Sequence, residues 1–191
     1  MPTYERLILA SGSPRRRSLL EEHGYMFEVI EPHPEAESGE VPGETPAELV
    51  VRMARQKGAD VAGKIDRGLV LACDTVAECD GQVLGKPADR EHARQMLEML
   101  RGREHRVWSG LCLWPVPGEP RTALAESVLK MRILSDEEIQ EYLDSGLWVG
   151  KAGGFGLQDR LGWIAMVAGS ESNVVGLPME LLAGMLGDDR R

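Results

Sequence analysis

Cationic and acidic side chains at a few positions carry the chemistry this sequence offers. Arg15, Arg16 and Arg17 follow directly on Ser11-Gly12-Ser13-Pro14. With Ser13 as N-cap and Pro14 as the first helical residue, all three arginines fall in the first turn of a helix. That end of a helix is already partly positive, so three more positive charges suggest that an anion is meant to join them. Lys57 lies four residues after Met53, on the apolar face of its helix, where a lysine must be paired, snorkelling or lining a pocket. Asp74 closes the apolar run Leu69-Val-Leu-Ala-Cys73. A carboxylate at the end of a buried strand is costly unless it is hydrogen-bonded, paired or bound to a metal. Lys86, in Gly85-Lys86-Pro87, is placed to return toward Asp74. Cations of this kind neutralise phosphate oxygens, and carboxylates hold a hard divalent cation that bridges them. The inventory is that of a polyphosphate site able to activate water. The bland alternatives are a solvated arginine patch, an aspartate bonded to loop amides, and a structural Lys57–Asp74 pair.

The elements that position these residues follow from the hydrophobic pattern. Arg6 to Ala10 reads as a buried strand, and a helix from Pro14 to about His23 stops at Gly24. Phe27 to Ile30 is a short strand. Glu31 to Gly43 is a Pro-, Gly- and Glu-rich loop carrying Glu35 and Glu37. Thr45-Pro46-Ala47-Glu48 is a capping box that opens the helix of Lys57. Leu69 to Cys73 is a central strand buried on both faces, expected to end at Asp74-Thr75. A hairpin turns at Asp80-Gly81, and Asp89 caps a helix that ends at Gly102. His92 and His105 read as surface residues. Arg106 to Trp114 and Ala123 to Ile133 are strands, with Ala125, Ser127, Leu129, Met131 and Ile133 sharing a face. Ser135 and Glu138 form a second capping box before a helix that stops at Gly146. Lys151-Ala-Gly-Gly-Phe-Gly-Leu-Gln158 is glycine-dense without the spacing of a dinucleotide fingerprint. Trp163 to Ala168 is a strand, Gly169 to Leu177 a loop, and a last helix starts at Pro178. The expected fold class is α/β, a mixed sheet flanked by helices, in one domain over 1–191 with 187–191 as a frayed tail.

Composition narrows the classes further. The 191 residues carry 31 Asp+Glu against 22 Lys+Arg, a net charge of −9, which argues against a nucleic-acid coat. No apolar run approaches a membrane span, and Leu7 to Ala10 is too short for a signal-peptide core. Three cysteines without metal-ligand spacing fit a reduced, cytoplasmic setting. No Ser–His or Cys–His pair shows informative spacing, which disfavours a covalent route.

Five segments, in order, also resemble the Maf family of nucleotide pyrophosphatases: Ala10-Ser-Gly-Ser-Pro-Arg-Arg16, Cys73-Asp-Thr-Val76, Gly85-Lys-Pro87, Lys151 to Gln158, and Asn173-Val-Val-Gly-Leu-Pro178. The likeness spans roughly Leu7 to Leu182. It implies cleavage of nucleoside triphosphates to monophosphate and pyrophosphate with a divalent cation, Mg²⁺ or Mn²⁺. It also implies a bent mixed sheet with a cleft between two lobes, related to the inosine-triphosphate pyrophosphatases. Asp74 matches the family's catalytic carboxylate and proton acceptor, and Lys57 and Lys86 match its active-site lysines. Arg15, Thr75 and Gln158 match positions tied to base preference, with types that look like the dTTP/UTP branch. On this reading Ser11, Ser13, Arg15, Arg16, Lys57, Thr75, Lys86, Lys151 and Gln158 bind substrate, and Glu35 or Glu37 joins Asp74 on the metal. Glu35-Ala36-Glu37 breaks the family's acidic pair, and Gly150 stands where many relatives carry Asp. The relatives suggest a homodimer. Rival readings are a pyrophosphatase of the same family acting on 7-methyl-GTP or on modified pyrimidine triphosphates, and a non-catalytic nucleotide-binding regulator of cell division.

Overall fold

The structure, a computed structural model, describes residues 6–36, 41–159 and 161–187, with the Gln158 side chain left out. Glu37 and the tail beyond 187 therefore lie outside the described residues. The described strands are β1 (Leu7–Leu9), β2 (Glu28–Val29), β3 (Gly68–Cys79), β4 (Gln82–Leu84), β5 (Glu104–Val116), β6 (Arg121–Met131) and β7 (Ile164–Ala168). The helices are α1 (Pro14–Glu22), α2 (Pro46–Ala62), α3 (Arg90–Leu100), α4 (Asp136–Ser145), α5 (Glu171–Val175) and α6 (Met179–Leu186). One mixed sheet runs in the order β2-β1-β3-β5-β6-β7, with β4 beside β3.

Strand β3 organises the sheet. Its start pairs in parallel with β1, Leu7 opposite Leu69 and Leu9 opposite Leu71. Its end pairs antiparallel with β4, from Ala77 opposite Leu84 to Cys79 opposite Gln82. Strand β5 covers the other edge from Gly68 to Glu78 without interruption. That continuous ladder is why the strand does not end at Asp74-Thr75 as its sequence suggests. Between β1 and β4, the edge of β3 at 72–76 has no strand beside it among the described residues.

Alternation along β1 and β3 then sorts the core. Leu7, Leu9, Leu69 and Leu71 face α1 and α6, packing on Leu19, Leu20 and Leu182. Ile8, Val70 and Ala72 face the other way, onto Ala54 and Val61 of α2. Both faces are buried, as the uninterrupted apolar run requires. Each fully buried aliphatic side chain contributes about 1.5–3 kcal/mol relative to leaving it exposed. The far half of the sheet has its own core, where Ala77, Val107 and Leu129 meet Leu97 and Leu100 of α3 and Ile139 and Leu143 of α4.

The capping boxes at Thr45/Glu48 and Ser135/Glu138 form as their sequences predict. Other expectations shift. Ser13 occupies the N-cap of α1 without a side-chain cap bond, and its own amide donates to Ser11 Oγ at 3.2 Å. The Gly169–Leu177 stretch contains α5, capped by Ser170, whose Oγ accepts from the Asn173 amide. Ile133 falls beyond the end of β6 and is 78% exposed rather than continuing its inner face. His105 is buried at 4% exposure, because the pairing of β5 with β6 turns it inward opposite Leu129. Three cysteines are free and buried. Among the described residues no helix is long and apolar enough to cross a membrane.

Candidate functional site

The bare stretch of β3 opens into a cleft of about 870 Å³, and period-2 alternation decides what enters it. Asp74 continues the face of Val70 and Ala72, so it points toward α2. Thr75 continues the face of Leu71 and Cys73, so it points toward α1.

On the α2 side, Lys57 Nζ donates to Asp74 Oδ1 at 2.6 Å, with side-chain exposures of 6% and 15%. The lysine that helical spacing put on an apolar face is therefore paired. Asp74 Oδ2 has no hydrogen-bond partner among the described residues. The close approach of α2 depends on Gly110, which lies opposite Asp74 in the ladder. A Cβ at Gly110 would stand 2.3 Å from the Val50 carbonyl oxygen, so only glycine lets the helix pack this low.

On the α1 side, Arg16 is anchored by three acceptors. Its Nε donates to the Gly176 carbonyl at 2.9 Å, Nη1 to Ser11 Oγ at 3.1 Å and Nη2 to Thr75 Oγ1 at 3.5 Å. Thr75 Oγ1 also lies 2.8 Å from Ser109 Oγ. Arg15 Nη2 donates to the Gly150 carbonyl at 3.0 Å. Burial, with the neighbouring Arg16 charge, lowers the Arg15 pKa from its ordinary value. Both cations are thus oriented before any ligand arrives, which removes part of the ordering cost of binding. Ser11, Ser13, Arg15, Arg16, Lys57, Asp74, Thr75, Lys86 and Lys151 all border the one cleft. Lys86 is exposed there and makes no ion pair with Asp74.

The remaining expected residues fall differently. Lys151 turns its ammonium onto Asp159 Oδ1, and Asp159 Oδ2 accepts from the Tyr142 hydroxyl at 2.7 Å. Burial first, then the Asp159 carboxylate, raises the Tyr142 pKa well above its ordinary value. Glu35 lies in a short turn, Pro34–Ala36, and lines a separate shallow depression with His33, Gln56 and Asp60 rather than the cleft. Glu37 and the Gln158 side chain lie outside the described residues. Among the described residues of this loop, the acid that borders the cleft is Glu31. Its carboxylate packs on Gly12, where a Cβ would stand 3.0 Å from it. Nothing in the sequence singled out Glu31 or Asp159, because each is defined by what folds against it. Among the described residues no cluster of three or more His, Cys, Asp or Glu is arranged to hold a metal alone. Magnesium does not need one, since it takes one or two carboxylates together with substrate phosphates. Glu31 and Asp74, oxygen donors on the same cleft, fit that requirement.

Known proteins agree with this architecture. The sequence matches the family described as "Maf-like protein" over residues 6–188. A protein of Rhodopirellula baltica named dTTP/UTP pyrophosphatase is 51% identical over 187 residues, covering 97% of this chain and 82% of its own. One of Symbiobacterium thermophilum with the same name is 44% identical over 184 residues, covering 95% and 93%. A solved HAM1 protein from Coxiella burnetii shares the fold, with a TM-score of 0.51 at 16% identity, over 96% of this chain and 98% of that one. The chain belongs to the family of Maf-like proteins.

Proposed function

We propose that this protein hydrolyses nucleoside triphosphates, dTTP and UTP foremost, to the monophosphate and pyrophosphate. The observation that carries the reading is the convergence of Asp74, Lys57, Lys86, Arg15 and Arg16 on one cleft, with one Asp74 oxygen open. The relatives' names supply the substrates.

The chain's own groups divide the work. Arg16 and Lys86 bind the triphosphate oxygens and offset the charge that builds on them in the transition state. The open Asp74 oxygen accepts a proton from the attacking water, which adds to the α-phosphorus as pyrophosphate leaves. Lys57 orients that carboxylate through Oδ1. Thr75, Arg15 and the Lys151–Gln158 segment frame the base, with Phe155 bordering the same cleft. Glu31 and Asp74 would hold a divalent cation, which supplies charge neutralisation across the phosphates when bound.

The test is a nucleotide panel including dTTP, UTP, dCTP, GTP and 7-methyl-GTP, with and without Mg²⁺. Pyrophosphate release from dTTP and UTP that requires the cation supports the reading. Nucleotide binding without release under any condition contradicts it and favours a regulator.

A further inference from the structure

The glycine-rich segment is held at several points, and one buried carboxylate gathers two of them. Asp159 is 5% exposed in its side chain and Lys151 10%. Asp159 takes the Lys151 ammonium on one oxygen and the Tyr142 hydroxyl of α4 on the other. Its charge also acts on Arg15, raising that residue's pKa against the lowering by burial. Next to Lys151, the Gly150 carbonyl accepts from Arg15 Nη2, and Gly153 donates its amide to the Gly85 carbonyl at 2.9 Å beside Lys86. Tyr142 packs on Trp163 at 5.1 Å between ring centroids and on Phe155 at 6.2 Å. A single carboxylate thus fixes both ends of a segment whose glycines would otherwise leave it many conformations. That segment delivers the carbonyl that orients Arg15.

We propose that Asp159 is a positioning residue for substrate binding: pinned by Tyr142 and Lys151, it holds the glycine-rich segment so that the Gly150 carbonyl keeps Arg15 turned into the cleft. Asp159 itself does not border the cleft. Its loss weakens nucleotide affinity and leaves the chemical step alone. The inference rests on the hydrolase reading above for its kinetic form, and on the geometry alone for its binding form.

Tyr142→Phe removes one hydroxyl and keeps the ring in its aromatic cluster. Asp159→Asn is the stronger change. For Tyr142→Phe the KM for the preferred triphosphate rises about five-fold, with kcat within about two-fold of wild type. Asp159→Asn raises KM further. In an Arg15→Met background the same Tyr142→Phe change adds nothing, because the residue it positions is gone. A KM effect that is undiminished in that background overturns the proposal. So does an unchanged KM with only a lower melting temperature, which is what a purely structural role gives. If the wild type releases no pyrophosphate at all, the hydrolase reading fails on its own. The same cycle, measured as Kd for a non-hydrolysable α,β-imido analogue of dUTP, then decides the clasp by the same additivity criterion.

Discussion

Two lysine–aspartate pairs lie at the cleft, which Lys57, Asp74 and Lys151 border and Asp159 does not, and they differ in what their carboxylates still have to offer. Asp159 has both oxygens engaged, by Lys151 and Tyr142, and is almost wholly buried. Asp74 gives one oxygen to Lys57 and leaves the other, on the cleft side, without a hydrogen-bond partner among the described residues. A saturated buried carboxylate fixes geometry. A half-engaged one keeps lone pairs for a water or a cation. Equal chemistry at the level of residue type therefore leaves a saturated carboxylate in one place and, on the proposed reading, a reactive one in the other.

Substitutions should separate the two. On the proposed reading Asp74→Asn removes the base, so kcat should fall by about 10²–10⁴. A normal kcat would make the two pairs alike. Lys151→Met leaves Asp159 charged and buried without its counter-ion and should cost about 3–5 kcal/mol of stability. Lys57→Met should cost less, because Asp74 borders the open cleft and can be hydrated there. Equal losses in urea titrations of the two variants would erase the distinction drawn here.

The far half of the sheet, which carries the Asp159–Tyr142 contact, also buries His105, and burial lowers its pKa to about 4. The unfolded chain takes up that proton below its ordinary value of 6.5, whereas the folded protein resists until about 4. Between those values the unfolded state binds more protons, so stability falls as pH falls, by up to about 3 kcal/mol. His105→Phe should flatten that slope in urea titrations between pH 7 and 4; an unchanged slope would assign the pH effect elsewhere. Smaller again, Gly110→Ala should cost about 1–3 kcal/mol by forcing α2 outward. It should weaken activity through the Lys57–Asp74 pair while leaving the Tyr142–Asp159 contact intact. A fully active, fully stable Gly110→Ala protein would show that the helix has room to spare.

The same contrast explains what could be read before the fold was seen. Lys57 and Asp74 were legible because local patterns expose them: a lysine at helical spacing among apolar residues, and an acid on an uninterrupted apolar run. Ser135 and Thr45 were legible because a capping box is written within four residues. Asp159, Glu31 and Gly110 carry no such mark. Asp159 closes a single 3₁₀ turn, Leu157–Asp159, too short to show a period, and its meaning comes from Tyr142, 17 residues away. Gly110 matters only because a helix some 60 residues earlier, at Val50, lies against it. His105 looked like a surface histidine, since only the β5–β6 register turns it inward. The length of β3 was misread for a related reason. A polar Asp-Thr pair ends a strand locally, and only the full-length β5 ladder carries the strand past it.

Where water attacks is the most direct test. Hydrolysis of dTTP in H₂¹⁸O should place the label on the monophosphate and none on pyrophosphate, at a rate that collapses in Asp74→Asn. Label in the pyrophosphate, or stepwise release of orthophosphate, would mean that the open oxygen of Asp74 does not serve the innermost phosphorus.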